Sequence, residues 1–120
     1  MTPQNAPFSQ AEYDRRIALT RAAMAKAGLD AIFVTDPSNQ AWLTGYDGWS
    51  FYVHQGVILT MEGEPHWWGR HMDSLGALRT CWIAPPSIHG YADSYVQSTV
   101  RHPMQDLARI LRDMGLEQAR

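Results

Sequence analysis

Ala31-Ile32-Phe33-Val34-Thr35-Asp36-Pro37-Ser38-Asn39-Gln40-Ala41-Trp42-Leu43-Thr44-Gly45-Tyr46-Asp47-Gly48-Trp49-Ser50-Phe51-Tyr52 is the stretch whose reading decides the fold. Its first five residues are a short β-rich run between Gly28 and Pro37, the pattern of a buried strand. Asp36-Pro37 ends that strand, because proline donates nothing to a ladder and pushes the residue before it toward extended geometry. Ser38 or Asn39 is placed to cap one helical turn reaching Trp42 or Leu43, which Thr44-Gly45 then closes. A strand therefore feeds a short helix and then a glycine-punctuated aromatic loop.

Upstream, Ser9 and Glu12 have capping-box spacing, and Tyr13, Ile17, Thr20, Met24 and Ala27, with Leu19 and Ala23 alongside, form an apolar stripe. Arg15, Arg16, Arg21 and Lys26 fall on the opposite, solvated side, and Gly28 ends the helix. Downstream, residues 52–60 read as a strand bulged at Gly56. Glu62-Gly63-Glu64-Pro65 turns it, and His66-Trp67-Trp68 returns as the second arm of a hairpin. Asp73 or Ser74 caps a short helix over Leu75 to Leu78. Thr80-Cys81-Trp82-Ile83 reads as a further strand stopped by Pro85-Pro86, and residues 87–95 as loop. Pro103 opens a last helix with Met104, Leu107, Ala108, Leu111 and Met114 on one face, closed by Gly115. Strands alternating with helices, plus one hairpin, predict a small single α/β domain with a mixed sheet flanked by helices.

Composition narrows the function classes. A 120-residue chain with 45% hydrophobic residues and a formal charge of -2 is an ordinary soluble globular domain. Its ten basic residues form no run, which argues against a nucleic-acid partner. No apolar stretch approaches the roughly 20 residues of a membrane span. Met1 to Pro7 is a polar, proline-containing tail, expected to be disordered and unlike a signal peptide. The lone Cys81 excludes an internal disulfide and fits a reducing, cytoplasmic location.

No catalytic constellation stands out. The five histidines lack zinc-type spacing, and a convergence of His66, His71 and Asp73 is less expected than simple hairpin polarity. Gly48-Trp49-Ser50 lacks the second glycine of a nucleophile elbow, so Ser50 reads as a loop hydroxyl. Cys81 beside Trp82 reads as an inert core thiol. Asp36 is explained by turn chemistry and leaves Asp47 without a carboxylate partner. No cofactor or metal is expected in this segment. Of the aromatics, Trp42 and Phe51 are assigned to the core, while Tyr46, Trp49 and Tyr52 are candidates for an exposed functional edge.

Asp36-Pro37-Ser38-Asn39-x-x-Trp42-Leu43-Thr44-Gly45-Tyr46 resembles the segment after the first strand in the N-terminal domain of the creatinase, prolidase and Xaa-Pro aminopeptidase family, the "pita-bread" hydrolases. Tyr46-Asp47-Gly48-Trp49-Ser50-Phe51-Tyr52 is more similar to the ectoine hydrolase branch. The resemblance implies a ribonuclease H-like mixed sheet over residues 8–120. It also implies a catalytic domain, with any divalent metal, beyond Arg120. Here helix-Gly115-Leu116-Glu117 repeats the helix-Gly28-Leu29-Asp30 that precedes the first strand. On this reading the segment is non-catalytic. It covers the active site, shares a small-molecule substrate with the catalytic domain and contributes to a homodimer. Tyr46, Asp47, Trp49, Tyr52, His54, Arg70 and His71 are then the candidate substrate-binding residues, the aromatics for a delocalised cation and Arg70 for a carboxylate. An Xaa-Pro dipeptidase or creatinase domain, or an independent module binding small cations, stands as the alternative.

Overall fold

A computed structural model of the chain describes residues 5–50 and 52–120. Phe51, assigned above to the core, and the first four residues of the N-terminal tail lie outside the described residues. The elements run α1 (Gln10–Ala27), β1 (Ala31–Val34), α2 (Pro37–Thr44), β2 (Gly56–Thr60), β3 (His66–Arg70), α3 (His71–Thr80), β4 (Ile88–Tyr91) and α4 (Pro103–Asp113). Single 3-10 turns at Pro85–Ser87 and Asp93–Tyr95 flank β4. The sheet order is β1-β2-β3-β4, with the first two pairings antiparallel and β3-β4 parallel. The sheet is mixed, as the hairpin and the alternation of elements predict.

Each face of the sheet buries its own core. Alternation along a strand sends successive side chains to opposite faces, so Val57, Leu59 and Trp67 pack with Ile17 and Met24 of α1, Leu43 of α2 and Ala77 of α3. Ile58, Trp68 and Tyr91 pack with Leu107 and Ile110 of α4 on the other side. The adjacent Trp67 and Trp68 thus anchor two different layers, both wholly buried. Burial of each aliphatic side chain in this set stabilises by about 1.5–3 kcal/mol.

Local chemistry explains the helix ends. Ser9 accepts the Glu12 amide at 3.2 Å, but the Glu12 carboxylate pairs with Arg15 at 2.7 Å and Arg16 at 2.9 Å, so the box is half formed. Gly28, at φ 70°, closes α1 with amide bonds from Gly28 to Ala25 and from Leu29 to Met24. Gly115, at φ 76°, closes α4 with the same pair of bonds, Gly115 to Arg112 and Leu116 to Leu111. The Gly-Leu echo in the sequence is a repeated helix stop.

Several local expectations are corrected. Asp36, rather than Ser38 or Asn39, caps α2, accepting the Asn39 amide at 3.0 Å, because Pro37 supplies the first helical residue. Arg16 is buried, not solvated. Its guanidinium donates to the Trp42 carbonyl at 3.0 Å and lies over the rings of Phe8 and Trp42, whose own ring is partly exposed. Helix α3 starts at His71, ahead of Asp73 and Ser74. Residues 81–83 are not a strand: Trp82 sends its amide to the Thr44 carbonyl and its indole N–H to the Leu43 carbonyl, which ties the segment to the end of α2. The fourth strand lies instead in Ile88–Tyr91, inside the segment read as loop.

Candidate functional site

The aromatic loop divides at Gly48. On its inner side Tyr46 is only 9% exposed, its ring edge-on to Trp67 at 5.2 Å, and burial pushes its hydroxyl up to about 12. A Cβ at Gly48 would sit 2.1 Å from that ring, so only glycine lets the chain pass over it. Gln55 ties the base down, its amide donating to Gln40 Oε1 at 3.0 Å and to the Gly48 carbonyl at 3.2 Å. Past Gly48 the loop turns outward. Trp49 is 72% exposed and Tyr52 57%. Ser50 donates to the Val53 carbonyl and is a local loop hydroxyl, as expected.

Tyr52, Val53 and His54 form one wall of a cleft of about 160 Å³. Tyr91 of β4 forms its floor, and Tyr95, residues 96–98, Arg101 and His102 its far wall. The Tyr91 hydroxyl donates to the His54 carbonyl at 2.7 Å, which fixes the near wall to the sheet. The His54 and His102 rings meet edge to face, 4.7 Å apart at 67°, and burial followed by the proximity of His102 lowers the His54 pKa. His102 also caps α4: its Nδ1 accepts the Met104 amide at 3.1 Å while Gln105 Oε1 accepts the His102 amide at 2.9 Å. Across the cleft mouth Arg70 reaches the Tyr52 hydroxyl at 3.4 Å and pairs with Asp93 at 2.8 Å. That hydrogen bond holds the Asp93 carboxyl below its ordinary value, with a further lowering contribution from His71.

The structure thus joins Tyr52, His54 and Arg70, and sets His71 behind Asp93. It does not bring in the other candidates. Tyr46 belongs to the core, because the turn at Gly45 folds it back under the sheet. Asp47 lines a separate shallow hollow with Phe8, Arg16 and Trp42. Tyr95, Arg101 and His102 are not among the candidates of the sequence reading, which takes residues 87–95 as loop and opens the last helix at Pro103. The available signal was Tyr91, Tyr95, Arg101 and His102 recurring within twelve positions. Among the described residues no group of three or more His, Cys, Asp or Glu side chains is placed to hold a metal ion. None of their helices is long and apolar enough to cross a membrane. Cys81 is buried, its thiol pushed up to about 12 by desolvation.

The creatinase/prolidase N-terminal domain model matches residues 16–120. The chain belongs to that family. Ectoine hydrolase of Halomonas elongata is 57% identical to this creatinase/prolidase N-terminal domain over 110 residues, which are 91% of the chain and 28% of that protein. An uncharacterised hydrolase/peptidase of Sinorhizobium fredii is 38% identical over 87% of the chain and 27% of its own length. The chain therefore spans just over a quarter of these curated relatives. The N-terminal domain of an Xaa-Pro dipeptidase from Lactobacillus brevis superposes with a TM-score of 0.68 at 14% identity, covering 83% of this chain and 69% of that one. Dipeptidase PepE from Mycobacterium ulcerans gives 0.67 at 23% identity, over 88% of this chain and 27% of that one. These two likenesses are of fold.

Proposed function

We propose that this domain is the non-catalytic N-terminal part of an ectoine hydrolase-type enzyme, one that opens the cyclic amidine of ectoine to N-acetyl-diaminobutyrate. The observation that carries the reading is the 57% identity to ectoine hydrolase across 91% of the chain. The arrangement of the domain agrees with it. Exposed Tyr52 stands beside His54 and Arg70, and Trp49, three positions earlier in the sequence, is exposed as well; these are residue types that hold a small solute carrying both a delocalised cation and a carboxylate. In this reading the edge covers an active site built by a second domain, in the same chain or in the partner of a cytoplasmic homodimer, and any metal is held there.

The test is turnover by the full-length polypeptide that carries this domain, followed by NMR with ectoine, creatine and an Xaa-Pro dipeptide offered in parallel. Consumption of ectoine with appearance of the acetylated diamine supports the reading. Hydrolysis of the dipeptide or creatine with ectoine untouched overturns it.

A further inference from the structure

We infer that the cleft between residues 52–54 and residues 95–103 is an oxyanion subsite for the carboxylate group of a small molecule. This names the chemistry of the site proposed above and rests on that reading for the identity of the molecule that owns the carboxylate. The binding itself is a property of this chain.

Three observations converge. The first is charge. The cleft is lined by Arg101, His54 and His102, together with Tyr52, Tyr95 and Ser98, and no Asp or Glu contributes to its wall. Among the described residues Arg101 has no carboxylate within ion-pair distance, whereas Arg70 across the mouth is taken by Asp93. The Arg101 guanidinium is positioned instead by the Tyr95 ring, 5.1 Å from its centroid, and by a long 3.4 Å bond to Ser94 Oγ. A planar fork fixed by stacking and lacking an acid matches a carboxylate's two oxygens.

The second is tautomer. His102 Nδ1 accepts the Met104 amide, so the neutral ring must carry its proton on Nε2. That nitrogen is therefore a donor. The His54 ring packs edge to face against the His102 ring, centroids 4.7 Å apart, so the cleft wall presents two adjacent imidazoles.

The third is size and shape. A volume of about 160 Å³ is a few waters' worth at about 30 Å³ each, and below the 300 Å³ or so where sites for drug-sized ligands begin. The far wall is a fixed turn: Gln97 is held at φ 52°, a region non-glycine residues seldom occupy, and Ser98 Oγ accepts the amides of Val100 and Arg101 at 3.1 and 3.2 Å.

The experiment is an NMR titration of this 120-residue chain at constant ionic strength, replacing sodium chloride first with sodium acetate and separately with phosphate. The expected result is saturable shifts with acetate at the His54 and His102 rings and the Gln97 and Ser98 amides. In Arg101→Ala, whose exposed side chain leaves the fold intact, they weaken at least about tenfold, and Arg101→Lys keeps part of them. Shifts that follow chloride without saturating, or that persist unchanged in Arg101→Ala, overturn the inference. So does saturation by phosphate alone, which would mark a tetrahedral anion. Ectoine turnover by the full-length enzyme without acetate binding by this chain would sink the subsite and leave the functional reading standing. Acetate binding without ectoine turnover would do the reverse.

Discussion

His66 Nδ1 stands 2.8 Å from His89 Nε2, with the two ring planes 12° apart and their centroids separated by 5.1 Å. That separation is the hydrogen bond plus one ring radius at each end, so the imidazoles lie in line rather than face over face. They share one proton across the parallel β3-β4 junction. Burial comes first in lowering both pKa values. The neighbouring Glu64 opposes it at His66, while at His89 the proximity of His66 and Arg109 adds to it and Asp106 opposes it. Above the ordinary value of 6.5 both rings are neutral in folded and unfolded chains, and stability is flat. As pH falls below 6.5 the unfolded chain takes up protons that the folded pair refuses, so stability is lost until the depressed folded values are passed. Tm measured from pH 7.5 to 5 should fall, by about 4 °C for each kcal/mol lost. In His89→Gln the slope should be shallower. Glu12, held down to about 2 by Arg15 and Arg16, acts in a separate window below its usual 4.5. A Tm that is level across this range would exclude the pair as a titrating element.

Gly45 and Gly63 both have positive φ, 87° and 76°, but their surroundings differ. A Cβ at Gly45 would lie 2.7 Å from the Tyr13 hydroxyl and 2.8 Å from the Thr80 carbonyl; at Gly63 it would meet nothing within 4 Å. Gly63→Ala should cost only the left-handed penalty of about 1–2 kcal/mol. Gly45→Ala should add an overpacking cost of about 1–3 kcal/mol, since one close neighbour is backbone. Urea unfolding of the two variants checks the difference, and equal midpoints would contradict the crowding at Gly45.

The Cys81 thiol should be silent in the native domain. It is fully buried and its pKa is raised to about 12, so almost no thiolate exists at pH 8. A chromogenic disulfide reagent should label it only as fast as the domain opens, and completely in denaturant. Immediate labelling of the folded chain would place Cys81 at the surface.

Trp49, 72% exposed, should contribute to function without contributing to stability. Trp49→Ala should leave the unfolding free energy within about 0.5 kcal/mol. In the full-length enzyme it should lower kcat/KM for ectoine by about tenfold, roughly the loss of one cation-aromatic contact away from water. Unchanged kinetics would remove the aromatic edge from the substrate site.

The elements legible in the sequence were those set by chemistry within a few residues. Ser9, Gly28, Pro103 and Gly115 mark helix ends because caps, proline geometry and left-handed glycine act locally. Glu62-Gly63-Glu64-Pro65 marks the hairpin for the same reason. The fourth strand was not legible. Thr80-Cys81-Trp82-Ile83 has strand composition, yet Thr80 ends α3 and the two N–H groups of Trp82 go to the carbonyls of Leu43 and Thr44 about forty positions earlier. Ile88-His89-Gly90-Tyr91 looks like loop, but becomes a strand because β3 offers it a parallel edge.

The site divides the same way. Sequence by itself determined that an aromatic loop with glycine at its turns follows α2, but it began the next strand at Tyr52, whereas β2 begins at Gly56. Only the tertiary structure decided which rings face water: Tyr46 turns inward because Trp67 is there to pack against, while Trp42 is left partly exposed over a buried Arg16. It alone also set Arg101 and His102 opposite His54, since α4 packs Leu107 and Ile110 against Ile58, Trp68 and Tyr91 of the sheet. Backbone preferences are short-ranged and can be read along a chain, whereas burial and the meeting of charges depend on partners far apart in it.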